Sequence, residues 1–349
     1  MRVGIEVGGT FTDLVMSDGK NIKTAKVPST PISPDKGAML AIEAAGLRLE
    51  EISELIHGST VATNAVLERK GGRVCFFVTR GTKDLLLIQR HDRRAIYDLQ
   101  YQKPKPVVPR HDTYEIDERI AADGNIVTDL DTKVTSTLVR NIFDKENFDS
   151  VAICFLHSYL NPIHERALSN MISALYPEMP ITCSCDVARE FREYERASTT
   201  TLAAYVQPVV AGYITRFSEE LQERGFQGKF SIMQSNGGRM PAAAITKNAI
   251  TSLFSGPAAG VVGALRGKGK TSYPDIITLD MGGTSTDVAL VSNDQAELAP
   301  MTTIDGLPVK TPVVALSIVG SAAVVAGGEV VGSVMLGLNY DSGHNREYA

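Results

Sequence analysis

Residues 6–16 read EVGGTFTDLVM and residues 280–290 read DMGGTSTDVAL, so a six-residue core recurs 274 positions on with one change, Phe11 against Ser285. In both copies an acidic residue closes a β-type run, two glycines follow, and hydroxyl residues lead to an aspartate. Those residue types suit a polyphosphate. Gly8, Gly9, Gly282 and Gly283 let backbone N–H groups approach an anion with no Cβ in the way. The hydroxyls of Thr10, Thr12, Thr284, Ser285 and Thr286 can donate to phosphate oxygens, while Asp13, Asp280 and Asp287 could hold a hydrated Mg²⁺. Carboxylates face phosphates sensibly only with a cation between them. One Gly-Gly-Thr turn is a common hairpin tip. Two near-copies, each heading an α/β segment, imply two related domains facing one ligand.

The flanking sequence supplies the elements that would position these turns. Residues 2–7 form a short β-type run, the glycine pair turns the chain, and residues 14–16 and 18–27 read as further strands. After the proline-rich break at 28–34, apolar residues at helical spacing from Asp35 predict a helix ending at Gly46. Strand, turn, helix and buried strand follow between residues 55 and 81. The prolines at 104, 106 and 109 mark an irregular excursion from about Asp98 to Asp129. Residues 133–184 then alternate helix, strand, helix, strand, which predicts a parallel α/β sheet. A long helical stretch from Ser198 to Arg224 contains Pro208, so a kink or two helices are expected there. Residues 229–238 read as a strand ending in a glycine turn, 252–265 as a turn leading into a small-residue helix, and 274–291 again as strand, glycine turn, strand.

The chain has 349 residues, too many for one ordinary domain of roughly 100–200 residues. A formal net charge of −5 with no long basic run gives no electrostatic footprint for nucleic acid. The short cluster at 90–94 (RHDRR) reads as a solvated loop. Cys75 and Cys154 lie in apolar runs and read as core residues. Cys183 and Cys185 form a C-x-C pair without a second pair or a histidine cluster at zinc-ligand spacing, which reads as structural thiols of a reducing compartment. The chain enters a strand without a leader, and no apolar run reaches about 18 residues, so the expectation is a cytoplasmic protein without membrane association.

The arrangement of paired hairpins resembles the actin, sugar-kinase and heat-shock ATPase superfamily. Within it, GGTFTD (8–13), HGSTVATNAVLER (57–69), TRG (79–81), EYERASTT (193–200), SNGG (235–238), SGPAAGVVGA (255–264) and DMGGTSTD (280–287) are similar to the hydantoinase A / 5-oxoprolinase family. That resemblance implies an α/β fold of two ribonuclease-H-like domains around a nucleotide cleft, the second incomplete. The domains expected are 1–190, with the first hairpin, and 191–349, with the second hairpin and an atypical tail from about 319.

The family includes hydantoinases, 5-oxoprolinases and the ATP-using subunits of ketone carboxylases. The resemblance therefore implies ATP-dependent ring opening of a cyclic amide, such as a hydantoin or 5-oxoproline, through phosphorylation of its carbonyl oxygen. A ketone-carboxylase subunit and a non-catalytic nucleotide-binding module are the alternatives. ATP and Mg²⁺ are the implied cofactors, a small lactam the substrate, and a second, hydrolytic (hydantoinase B-like) subunit the partner.

By the same resemblance Gly8, Gly9, Thr10, Gly282, Gly283 and Thr284 cradle the β- and γ-phosphates. Asp280 and Asp287 hold Mg²⁺, and Asp13 orients the first hairpin or joins the metal shell. Gly256 lies at a helix start that could meet an anion or pack closely on a sheet. His57, with Gly58, Ser59, Thr60 and Asn64, stands at the end of a strand where open α/β sheets place ligands, making it a candidate for substrate contact and catalysis. Glu193–Arg196 could bind a ligand or make salt bridges at a helix start. The family's glycine-rich adenosine loop is not evident after residue 318, where Gly327 and Gly328 stand in its place. The tail is therefore expected to be truncated or altered, with weakened nucleotide affinity.

Overall fold

The computed structural model describes residues 1–93, 95–267, 273–281, 285–320, 325–326 and 329–330. The tail expectation and the Gly282, Gly283 and Thr284 candidates lie outside them. Thr286 is described only as backbone, within a strand.

The first sheet begins as the sequence implies. Strands β1 (Arg2–Val7), β2 (Phe11–Ser17) and β3 (Ile22–Pro28) form an antiparallel meander, and helix α1 (Pro34–Ala44) covers one face. Val3, Ile5, Val7 and Leu14 alternate toward Ala38, Met39 and Ile42 of that helix, which is the period-two, period-3.6 match that buries an apolar face. Strand β4 (Glu54–Ser59) then runs parallel to β1, and the chain leaves through helix α2 (Val61–Leu67).

A second sheet follows. Strands β5 (Val74–Thr79), β6 (Thr113–Ile116), β7 (Ser150–Cys154) and β8 (Ile181–Cys183) pair in parallel in the order β8-β7-β5-β6, with helices α3 (Thr132–Phe143) and α4 (Ile163–Leu175) in the connections. All residues of β5 and β7 are buried, as expected of central parallel strands covered on both faces. Alternation sends Phe76, Val78 and Ala152 to one core and Phe77, Val151 and Ile153 to another. Strand β6 falls inside the stretch expected to be irregular. Its four residues are too few for periodicity to show, and pairing with β5 organises them.

Helix α5 (Glu193–Glu223) is one continuous helix of 31 residues with Pro208 inside it, so of the two outcomes expected there, a kink or two helices, the division into two does not occur. Proline at 208 removes the N–H that would bond the Ala204 carbonyl. That carbonyl instead accepts from the Ser150 hydroxyl at 2.8 Å, and the next carbonyl, Tyr205, accepts from the Gly72 N–H at 2.9 Å. Neighbouring elements thus satisfy what the proline leaves open.

Beyond α5 the chain returns to the first sheet. Strand β9 (Lys229–Met233) pairs in parallel with β4, and β10 (Arg239–Pro241) forms the edge, giving the order β10-β9-β4-β1-β2-β3. The division expected at residue 190 therefore separates sequence motifs but cuts across a sheet. A parallel strand needs a long crossover, here the whole second sheet and α5, so strands adjacent in space come from either side of residue 190. Helix α6 (Ser255–Gly267) leads to the third sheet, where β11 (Ile276–Met281), β12 (Ser285–Ser292) and β13 (Leu316–Gly320) are antiparallel with β12 central. Among the described residues no helix is long and apolar enough to cross a membrane.

Candidate functional site

The strands flanking the two copies of the repeated phrase pair antiparallel in the same register. Glu6 pairs with Asp13 across β1 and β2, and Asp280 pairs with Asp287 across β11 and β12. Because directly opposed residues share a face, each hairpin carries its two carboxylates together. The Gly8–Thr10 turn is held by the Gly8 N–H to the Phe11 carbonyl at 3.1 Å and by the Ser29 hydroxyl to the Gly8 carbonyl at 2.7 Å. A Cβ at Gly8 would stand 3.1 Å from the Phe11 carbonyl oxygen, whereas one at Gly9 would meet open space. Gly8 serves the turn itself, and Gly9 and Thr10 are exposed at its tip.

Helix α6 brings the hairpins together. A Cβ on Gly58 would fall 2.0 Å from a Glu6 carboxylate oxygen, and one on Gly256 would fall 2.1 Å from the other, so Glu6 is wedged between β4 and the first turn of α6. One turn later a Cβ on Gly260 would lie 3.7 Å from Asp280 Oδ2. Glycines four apart share a helix face, and this face accommodates a carboxylate from each hairpin. The start of α6 is pinned by the Ser255 hydroxyl to the Ser59 carbonyl at 3.1 Å and by the Phe254 N–H to the Thr63 hydroxyl at 3.2 Å. Of the two readings of Gly256, close packing is what the geometry displays.

The electrostatics follow from this crowding. Burial, then the charges of Asp280 and Asp13, push the Glu6 carboxyl up to about 7. Burial and the neighbouring Asp280 push Asp287 up to about 6. Carboxylates held this close resist ionising together, and a cation would relieve them. Asp13 already has one, since Lys26 Nζ lies 2.8 and 2.9 Å from its two oxygens. Among the described residues no three of His, Cys, Asp or Glu form a ready-made metal cage. What the donor set fits is a hydrated divalent ion held by few protein oxygens, with water and ligand oxygens completing its shell.

Two expected site residues face elsewhere. His57 is fully buried. Its Nδ1 donates to the Ile5 carbonyl at 3.2 Å, its Nε2 accepts from the Tyr213 hydroxyl at 2.5 Å, and Phe217 packs edge-on at 5.4 Å. Burial lowers its pKa to about 4. With both nitrogens occupied inside the core it is a structural histidine, which corrects the expectation of a base. Thr12 is also fully buried, bonded to the Ser29 hydroxyl at 3.1 Å and facing α1. Strand alternation turns it away from Asp13 and hence from the carboxylates, so it is corrected as a phosphate donor.

The EYERASTT stretch supplies structural ion pairs. Glu195 is bonded by Arg90, Nε to Oε1 at 2.7 Å, so the basic cluster at 90–94 is partly tied down. Arg196 is wholly buried beside Glu165 at 3.8 Å and donates to the Ser184 hydroxyl at 2.6 Å. Cys75, Cys154, Cys183 and Cys185 are free and buried.

Sequence reasoning did not single out Lys26 or Gly260, and it noted Glu6 only as the acidic residue closing its run and Gly58 only as a neighbour of His57. Glu6 had a signal, because it occupies in the first phrase the place Asp280 occupies in the second. Lys26 and Gly58 needed the pairing register, and Gly260 needed the packing of α6.

Paired antiparallel strands carrying opposed carboxylates against a shared helix characterise a mixed α/β protein. Comparison with known proteins places it: the profile described as hydantoinase/oxoprolinase N-terminal region matches residues 2–176, and that described as hydantoinase/oxoprolinase matches residues 196–337, so the chain belongs to the hydantoinase/oxoprolinase family. It is 35% identical over 301 residues to caprolactamase subunit alpha of Pseudomonas jessenii, covering 83% of this chain and 43% of that protein. The crystal structure of that organism's ATP-dependent caprolactamase superposes with a TM-score of 0.83 at 30% identity, over 94% of this chain and 49% of that one. A nucleotide-free structure of acetone carboxylase, described as carrying out ATP-dependent acetone carboxylation, gives a TM-score of 0.80 at 27% identity, over 93% and 48%. The 5-oxoprolinase of Saccharomyces cerevisiae is 30% identical over 359 residues, covering 89% of this chain and 27% of the yeast protein. The chain thus spans less than half the length of these relatives.

Proposed function

We propose that this chain supplies the ATP-using part of a cyclic-amide hydrolase, and that the two hairpins are the jaws of its nucleotide cleft. The observation that carries the reading is the shared register, Glu6 against Asp13 and Asp280 against Asp287, with both hairpins meeting one face of α6. The first sheet also has an antiparallel β3-β2-β1 meander continued by parallel β4 and β9. This order supports the ribonuclease-H-like, actin-type architecture, with β11 and β12 opening its counterpart.

In this reading the turn at 8–10 and its sequence counterpart at 282–284 receive the β- and γ-phosphates through backbone N–H groups and the hydroxyls of Thr10 and Thr284. Asp280 and Asp287, with Glu6 beside them, are the residues that would hold Mg²⁺. A bound Mg²⁺ would neutralise phosphate charge. The protein's own contribution is to fix the polyphosphate between two rigid hairpins so that the γ-phosphorus meets the substrate carbonyl oxygen. Phosphorylating that oxygen releases ADP and makes the amide carbon electrophilic. Water then adds to the carbon, the ring nitrogen leaves as an amine, and a second water releases phosphate. The hydrolytic steps belong to a hydantoinase B-like partner, a reading supported by relatives that are named as subunits.

The test is ATP hydrolysis by this chain with such a partner, with and without hydantoin, 5-oxoproline or caprolactam. Stimulation by a lactam, abolished in Asp280→Asn, is the expected result. ATP binding with no lactam response would remove the amidase reading. The likeness to acetone carboxylase favours one alternative, transfer to a ketone oxygen followed by carboxylation, and ATP consumption that requires ketone and bicarbonate would establish it instead.

A further inference from the structure

Phe11 is the residue at which the two repeated cores differ, and its surroundings distinguish the two hairpins. Lys26 Nζ stands 4.9 Å from the centroid of the Phe11 ring and also bonds both oxygens of Asp13. Lys26 is opposite Asp13 in the register of β2 and β3, so strand geometry places its side chain on the carboxylate face. In the second hairpin the residue opposite Asp287 is Ile318, and position 285 is a serine. Only the first of the two hairpins thus has a lysine opposite its aspartate.

We propose that Lys26 contacts the polyphosphate directly, with Asp13 and Phe11 as the positioning residues that aim it, and that Asp13 is therefore not a metal ligand. The proposal rests on the nucleotide reading above. An ammonium has three donors. Two are engaged by Asp13, and the third is left for a phosphate oxygen. The ring of Phe11 restricts where the lysine can swing. The pair is half exposed, 56% for Lys26 and 47% for Asp13, so sharing the ammonium with an incoming anion costs little. A polyphosphate approaching Glu6, Asp13, Asp280 and Asp287 would otherwise meet like charge from both hairpins. The first hairpin then counters the phosphates with a lysine, and the second is left to a divalent ion.

The experiment is calorimetric titration of Mg-ATP into the full chain and into Lys26→Met, Lys26→Gln, Lys26→Arg and Phe11→Ser, with thermal melts of each. Loss of a charge-assisted hydrogen bond predicts at least about tenfold weaker ATP binding in Lys26→Met and Lys26→Gln at nearly unchanged melting temperature. Lys26→Arg should restore most of the affinity, and Phe11→Ser should lose part of it. If the wild type binds ATP and both uncharged Lys26 variants bind within about twofold of it, this inference falls while the nucleotide reading stands. A folded wild type that binds no ATP overturns both.

Discussion

Glu6 holds a proton at a pH where most glutamates have lost theirs, because Gly58, Gly256, Asp280 and Asp13 enclose its carboxyl. Between its ordinary value near 4.5 and about 7 the folded chain binds that proton and the unfolded chain does not. This contribution to stability is therefore full below about 4.5, falls as pH rises through the window, and levels off above 7. His57 has the opposite sign, since its lowered pKa favours folding as pH rises from about 4 to 6.5. The two trends overlap, so the informative measurement is a difference. The stability of Glu6→Gln relative to wild type, by urea titration at several pH values, should improve from pH 5 to pH 7. A flat difference would mean that Glu6 ionises normally. Thr12 and Tyr213 give a second residue-scale test. Thr12→Val removes a hydroxyl bonded to Ser29, and Tyr213→Phe leaves His57 Nε2 without its donor. Each is expected to cost about 1–3 kcal/mol of folding stability without changing ATP affinity. A selective loss of affinity in Thr12→Val would restore it to the phosphate site.

Helix α6 is the element on which the proposed cleft depends, because Gly256 and Gly260 admit a carboxylate from each hairpin. An alanine at 256 would place a methyl on the Glu6 carboxylate, while one at 260 stays at ordinary contact distance from Asp280. Gly256→Ala and Gly58→Ala should therefore weaken Mg-ATP binding by tenfold or more, and Gly260→Ala should be tolerated, with helix propensity in its favour by up to about 1 kcal/mol. Equal effects at 256 and 260 in a binding titration would argue against this packing. Helix α5 depends on a different neighbour. Ser150→Ala would strip the Ala204 carbonyl of its donor above Pro208, and a loss of about 1–2 kcal/mol in chemical denaturation is expected.

For the whole molecule, the prediction is that Asp280→Asn and Asp287→Asn abolish Mg-dependent ATP binding while Asp13→Asn only weakens it, because Asp13 is engaged by Lys26 whereas the residue opposite Asp287 in the strand register is Ile318. Titrations with and without Mg²⁺ check it. The sequence by itself determined the repeated hairpins, the family likeness, the helix at 34–44 and the parallel character of the central sheet, since each is written in local glycines, alternation or apolar runs. It left open how Pro208 would be accommodated, that residues 113–116 form a strand, and which distant elements pack against each face of the hairpin strands. His57 and Thr12 look like site residues in one dimension, and only the folded chain turns them into the core. Gly58 and Gly260 look unremarkable until strand register and helix packing set them against carboxylates. Those outcomes come from contacts between segments far apart in the chain, such as residue 6 with residues 58, 256 and 280, and no local pattern specifies which distant partner a buried group will meet.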